Sequence, residues 1–274
     1  MLVDSHLHVW RASEAYPYPT STTVSSYSDV PIEVWHQYMH EYSIDRAVLV
    51  QPVYPGEDNS YVADCAASDP DRLAAVCVVN PSKPDAADKL EYWACERGCK
   101  GLRLRPKVPG ESAVFGDPNT YRLWERARDL NLVVSLLANP EHLPAVASLA
   151  ERFPDVAIVI DHMAHPDVRA GVDTPFFHAL VDLGRYPRVF VKVSGYYYFS
   201  RQAYPYADCW ELFHALYDQF GSTRLIWGSD FPHVLLKSGY LRCLRLPKRS
   251  FPFLTAADLD LIMGSNATEL YWPG

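Results

Sequence analysis

Eight short apolar runs, each separated from the next by an amphipathic stretch, recur along nearly the whole chain. This alternation limits the fold more than any other feature. The runs cover residues 2–8, 46–51, 73–79, 99–105, 132–137, 156–161, 188–194 and 224–229. They are rich in Val, Ile and Leu, as strands buried on both faces should be. The stretches between them predict helices near 31–41, 59–68, 84–97, 118–129, 140–152, 174–184, 207–220 and 255–263. Pro31, Pro84 and Pro118 suit first-turn positions, and Asp117 suits a helix cap. Eight strands alternating with eight helices over about 250 residues predict an α/β chain of the (β/α)8 TIM-barrel kind. A doubly wound open sheet would favour a glycine-rich turn after the first strand, and His8-Val9-Trp10-Arg11 has no glycine. With no repeat, linker or low-complexity tract, residues 1–274 read as one domain.

Composition narrows the partners. The 274 residues are 49% hydrophobic and carry a formal net charge of -8. That balance argues against nucleic acid or an anionic membrane as the main partner. The start, Met1-Leu2-Val3-Asp4-Ser5-His6, reads as a strand rather than a signal peptide, and no run approaches the roughly 20 apolar residues of a membrane span. The six cysteines are scattered, without a Cys-x-x-Cys pair, and read as free thiols in a cytoplasmic protein. Oligomeric state is open at this level; a homo-oligomer is compatible with the sequence.

The chemistry gathers at strand ends. His6 and His8 alternate at the end of the first run, so both side chains leave the same side of that strand. His162 directly follows the sixth run; a packed histidine is its bland alternative. Asp161 beside it points the other way by strand parity and reads as structural, and His165 reads as a loop residue. Asp230 ends the eighth run, in Trp227-Gly228-Ser229-Asp230-Phe231-Pro232. A carboxylate there is costly to bury unless paired or functional, although Asp also caps helices. Arg103 and Arg105 alternate on the fourth run, where two guanidinium groups can hold an anion or form salt bridges inside the barrel. Three long connections, 9–30, 195–206 and 231–254, follow strands and so fall on the C-terminal face, where barrel active sites lie. Tyr196 is the member of the tyrosine-rich seventh loop assigned to the pocket. The run Lys237, Arg242, Arg245, Lys248 and Arg249 reads as a solvated loop that adds positive potential.

Taken in order, several segments resemble the second amidohydrolase family of the amidohydrolase superfamily. They are Val3 to Trp10, Gly101 to Pro106, Val159 to His162, Val191 to Gly195, Trp227 to Pro232 and Ile262 to Thr268. The branch most similar to this chain is the lactonase group, which includes L-fuconolactonases and 2-pyrone-4,6-dicarboxylate lactonase. Metal-dependent members of the superfamily usually supply a histidine at the end of strand five or a lysine at the end of strand four. Here strand five reads Leu132-Val133-Val134-Ser135-Leu136-Leu137, and Lys100 lies at the wrong end of strand four. That departure resembles lactonases that work without metal.

The expectation is therefore a hydrolase that opens a lactone of a sugar acid or of a carboxylated aromatic-degradation intermediate. Asp230 would activate water, while His6, His8 and His162 polarise the carbonyl. Arg103, Arg105 and Tyr196 would bind a small anionic or polyhydroxylated substrate. No cofactor is the favoured expectation. The alternative is one divalent metal, zinc or manganese, on His6, His8 and Asp230. Two other readings are a metal-dependent decarboxylase of a hydroxylated aromatic acid and a non-catalytic ligand-binding barrel.

Overall fold

The computed structural model of the chain describes residues 1–17, 29–52, 55–106 and 113–274. Eight parallel strands pair strictly in sequence order: β1 (Val3–Leu7), β2 (Arg46–Val50), β3 (Leu73–Val78), β4 (Gly101–Leu104), β5 (Val133–Leu136), β6 (Ile158–Ile160), β7 (Val189–Lys192) and β8 (Leu225–Ile226). The helices are α1 (Ile32–Tyr42), α2 (Ser60–Ser68), α3 (Ala86–Glu91), α4 (Ala113–Gly116), α5 (Tyr121–Asp129) and α6 (Leu143–Arg152). They continue with α7 (Pro175–Asp182), α8 (Tyr196–Phe199), α9 (Trp210–Phe220), α10 (Tyr240–Ser250), α11 (Ala256–Asp260) and α12 (Asn266–Tyr271). The alternation is that of a TIM barrel.

Every predicted strand is present within a few residues of its expected bounds. Each predicted helix has a counterpart, and Asp117 caps a short 3-10 turn by accepting from the Asn119 N–H at 2.8 Å. Four helices were not expected: the short α4, α8 and α12, and the longer α10. The connection 231–254 contains α10, preceded by a 3-10 turn at His233–Leu236. Pro247 inside α10 disguises it, because proline normally stops a helix. The basic residues assigned to a solvated loop thus lie mostly on the solvent face of a helix, with Arg242, Arg245, Lys248 and Arg249 exposed. Part of the 9–30 connection, residues 18–28, lies outside the described residues. No helix among the described residues is long and apolar enough to cross a membrane, and all six cysteines are unpaired.

Strand alternation sorts the apolar residues into two cores. Leu49, Leu102, Leu104, Val134, Leu136, Ile160 and Val191 face outward and pack beneath the helices. Val48, Val50, Val76, Val133, Val159 and Ile226 face the barrel axis and meet the ring of Tyr271 from α12. The lower barrel is therefore filled and apolar. Polar inward positions, Arg103, Asp161, Lys192 and the histidines, lie above it towards the strands' C-terminal ends.

The seam between β8 and β1 builds the mouth. Asp230 N–H donates to the His6 carbonyl at 2.8 Å, and His8 N–H donates to the Phe231 carbonyl at 2.7 Å. Gly228 makes this approach feasible, since a Cβ there would fall 2.7 Å from the His6 Cβ. The register shifts between Asp4 and Leu7; Asp4 meets Ser229 and Tyr240, while His6 meets Lys192 and Asp161 inside the barrel. The buried Asp4 carboxylate then clamps the seam, accepting from Ser229 N–H at 2.9 Å and Tyr240 OH at 2.9 Å.

Burial raises the Asp4 carboxyl to about 6, outweighing hydrogen bonds from Ser229, His6 and Tyr240. Between its unfolded value near 4 and about 6, the unfolded chain gives up this proton while the folded chain keeps it. Stability from this group is therefore present below pH ~4 and lost as pH rises through about 6. A shift of two pKa units corresponds to about 3 kcal/mol. Asp4→Asn should gain on wild type by up to that amount between pH 4 and pH 8 in urea unfolding. A stability difference that does not change with pH would refute this assignment.

Candidate active site

The C-terminal mouth holds a cavity of about 290 Å³, bounded among the described residues by His8, Pro52, Arg103, Leu137, His162, His165, Tyr198, Asp230 and His233. Of the residues expected in the site, His8, His162, Asp230 and Arg103 border the cavity, and His6 lies fully buried directly behind His8, His162 and Asp230. His6 Nε2 stands 3.3 Å from His8 Nε2 and 3.7 Å from Asp230 Oδ1, while His8 Nε2 is 3.4 Å from the same carboxylate oxygen. The ring of His162 lies 4.7 Å from that of His6.

Local backbone geometry aims these groups. Asp230 adopts a left-handed φ of 58° at the end of β8. Its Oδ2 accepts a 2.6 Å hydrogen bond from Tyr197 OH, which fixes the carboxylate plane. Beyond β6 the chain makes a left-handed turn, with φ of 50°, 53°, 56° and 51° at His162, Met163, Ala164 and His165. Left-handed backbone costs roughly 1 kcal/mol or more per non-glycine residue, and here buried Met163 and Ala164 hold it in place. The turn swings His162 into the mouth, where its Nδ1 meets Ser194 Oγ at 2.8 Å. Gly195 (φ 76°) closes behind it, and a Cβ there would sit 3.0 Å from the His162 Cβ.

This turn also corrects the expectation for Asp161. Val159 faces the axis, so Asp161 faces it too, and it is His162 that needs the turn to point inward. Asp161 is fully buried beneath Arg103 and His6. Its Oδ2 accepts from Arg103 Nε at 3.0 Å, and its Oδ1 lies 3.0 Å from Lys192 Nζ and 3.4 Å from His6 Nδ1. Lys192 is also fully buried and reaches His6 Nδ1 at 3.0 Å. Arg105 is half-buried beside Arg103, makes no hydrogen bond to another described residue and does not border the cavity.

Tyr196 is a second correction. It faces the helix layer, buried against Phe199 and Phe251, and is absent from the cavity wall. Its successors meet the site instead: Tyr197 through Asp230, and Tyr198 as half-exposed wall. His165, expected as a loop residue, and His233 border the cavity, and Lys192 lies beneath it, neither of the last two having been singled out from the sequence. The first two lie just beyond β6 and β8, a position that marks the mouth of any barrel. Lys192 could have been noticed as a charge inside an apolar strand.

Burial drives the imidazoles towards neutrality. It pulls His162 down to about 4, and it lowers His6 well below the usual histidine range with help from the Lys192 charge. The two carboxylates behave oppositely. Burial opposes their charge, yet Lys192, His6 and Arg103 hold Asp161 well below the usual carboxylate range. The three facing histidines do the same for Asp230. Asp230 is thus ionised and able to accept a proton, with His6 and His162 neutral beside it.

The amidohydrolase family model matches residues 3–272, and the chain belongs to that family. It is 30% identical over 234 residues to L-fucono-1,5-lactonase of Burkholderia ambifaria, spanning 84% of this chain and 80% of that protein. It is 32% identical over 248 residues to 4-sulfomuconolactone hydrolase of Hydrogenophaga intermedia, spanning 89% and 77%. Its fold matches that of an amidohydrolase from Burkholderia multivorans solved with bound zinc, with a TM-score of 0.82, 23% identity and 99% of both chains covered. The chain is thus a hydrolase of the amidohydrolase family, built on a TIM barrel.

Whether these residues suit a metal depends on spacing and on hydrogen bonding. Tetrahedral zinc with bonds of about 2.0–2.1 Å separates its donors by roughly 3.3 Å. The spacings among His6 Nε2, His8 Nε2 and Asp230 Oδ1 are near that value. Two further trios, His6/His162/Asp230 and His8/Asp230/His233, bring donor atoms within 4.8 Å. Hydrogen bonding at His6 does not fit. A ligating Nε2 requires the ring proton on Nδ1 with an acceptor opposite, and the nearest group to Nδ1 is the Lys192 amine.

Asp161→Asn should expose how far the site depends on this carboxylate. It leaves Lys192 and Arg103 buried without a counter-charge, a change that typically costs about 3–5 kcal/mol. Urea unfolding at pH 7 should show a loss of that order. A loss under ~1 kcal/mol would mean that the cations do not depend on Asp161.

Proposed function

We propose that this hydrolase opens the ring of a small anionic or polyhydroxylated lactone. The observation that carries the reading is the convergence of an ionised Asp230 with His8, His162 and the Arg103 guanidinium on one cavity, with His6 packed directly behind them. The lactone activities named for the relatives at 30 and 32% identity support the same class.

Asp230 takes a proton from water as the water oxygen bonds to the lactone carbonyl carbon. His6, His8 and His162 surround the carbonyl oxygen and the tetrahedral oxyanion that forms from it. The ring carbon–oxygen bond then breaks, and Asp230 returns its proton to the leaving alkoxide, giving a hydroxy acid. Tyr197 keeps the carboxylate in line; burial followed by the nearby Asp230 charge pushes its hydroxyl far above the usual range, so it remains a donor. Arg103, fixed at Nε by Asp161, offers its outer face to a substrate carboxylate, sulfonate or hydroxyl. No step in this scheme requires a metal.

A panel of sugar-acid lactones and carboxylated or sulfonated unsaturated lactones, followed by acid release, tests the reading. At least one should be hydrolysed, and Asp230→Asn should lower kcat on the order of 10³-fold. Near-wild-type turnover by Asp230→Asn would remove Asp230 as the base. Absence of turnover across the whole panel would remove the lactonase reading.

A further inference from the structure

His6 and His8 are equivalent in sequence but not in what lies behind them. His8 Nδ1 is 2.8 Å from the Val50 carbonyl oxygen. A carbonyl only accepts, so His8 carries a proton on Nδ1, and as the neutral ring it presents an Nε2 lone pair to the cavity. Behind His6 stands Lys192, with Nζ 3.0 Å from Nδ1. An ammonium only donates, and Asp161 at 3.0 Å supplies its counter-charge. The other neighbour of His6 Nδ1, Asp161 Oδ1, is 3.4 Å away, beyond the usual N–H···O range of about 2.7–3.2 Å.

We infer that Lys192 is a positioning residue that fixes His6 as the Nε2–H tautomer, dividing the paired histidines into one donor and one acceptor. The 3.3 Å contact between the two Nε2 atoms agrees independently. Two lone pairs at that distance would repel, whereas His6 Nε2–H facing the His8 lone pair forms a hydrogen bond. The proton order then runs from Lys192 to His6, from His6 to His8, and from His8 to the Val50 carbonyl. This inference rests on the proposed reaction and sharpens it. When substrate binds, the His6 Nε2–H exchanges its His8 partner for the oxyanion. That exchange frees the His8 Nε2 lone pair, so His8 leaves the oxyanion's donors and joins Asp230 Oδ1 as an acceptor that orients the attacking water. A His6 Nε2 that bears a proton has no lone pair for a metal, so the trios that include His6 are used for hydrogen bonding, and His8, Asp230 and His233 form the trio that does not involve it.

Nitrogen-15 NMR of histidine-labelled wild-type protein tests this without substrate, so its result is independent of any lactone assay. The His6 resonances are identified by their loss in His6→Gln. A protonated Nε2 and a bare Nδ1 at pH 7.5 are expected. A proton on Nδ1, or one equivalent of zinc retained through gel filtration by wild-type protein incubated with zinc chloride and lost in His6→Gln, would overturn the inference. In folded Lys192→Met, Nδ1 is free to donate to Asp161. The His6 proton should move to Nδ1, zinc affinity should rise at least tenfold, and kcat should fall about 10–100-fold with KM little changed. A folded Lys192→Met that keeps the Nε2–H tautomer would show that Lys192 does not set it.

Discussion

The buried carboxylate of Asp161 is the point on which the mouth of this barrel depends. Two cations reach it from different strands, Arg103 from β4 and Lys192 from β7, each at 3.0 Å. At an effective dielectric near 20, each contact at that distance contributes about 5 kcal/mol of attraction, and desolvation of each ion costs several kcal/mol in return. The net effect on stability is small beside the effect on position. Once Asp161 is fixed, the Arg103 guanidinium is aimed at the cavity and the Lys192 amine at His6. With Asp230 included, two carboxylates face two cations while the buried imidazoles are held neutral. The site is charge-balanced before substrate enters, so an anionic substrate beside Arg103 adds the one charge not already paired.

The strained turn after β6 follows from the same requirement. Asp161 and His162 are adjacent, and a regular strand would send one of them into the helix layer. Four left-handed residues bring both to one cavity. The cost is met locally by burying Met163 and Ala164, and Gly195 supplies the close approach that lets β7 back the His162 ring. Strain of this kind is found where geometry must be over-determined, and here it lies between the charge hub and a neutral imidazole.

This explains which parts were legible in the sequence. The barrel was readable because parallel strands buried on both faces are written as apolar runs, and burial leaves a strong compositional trace. His6, His8 and Asp230 were readable because alternation and strand ends place them without knowledge of any loop. Asp161 was misassigned because parity was counted from His162, the residue whose backbone departs from the strand. Tyr196 was chosen from a run of three tyrosines, and which of them faces the cavity is set by a one-turn helix, α8, that begins at a left-handed glycine. Helix α10 was hidden by Pro247, whose effect on a helix depends on contacts that a linear reading does not contain.

The difference between His6 and His8 belongs to a further level, beyond pattern and parity. Both are histidines on one strand, both face the axis, and both are buried. What separates them is the group behind each ring, a backbone carbonyl on β2 for one and a side-chain amine on β7 for the other. These groups come from strands 42 and 186 residues away, brought into place by the closure of the barrel. A histidine's position therefore identifies it as a candidate, but its tautomer, and with it the choice between donor, acceptor and metal ligand, is decided by non-local packing. Two chains with the same histidine pattern on β1 can differ in chemistry through the residue at the end of β7 alone, and Lys192 makes that choice here.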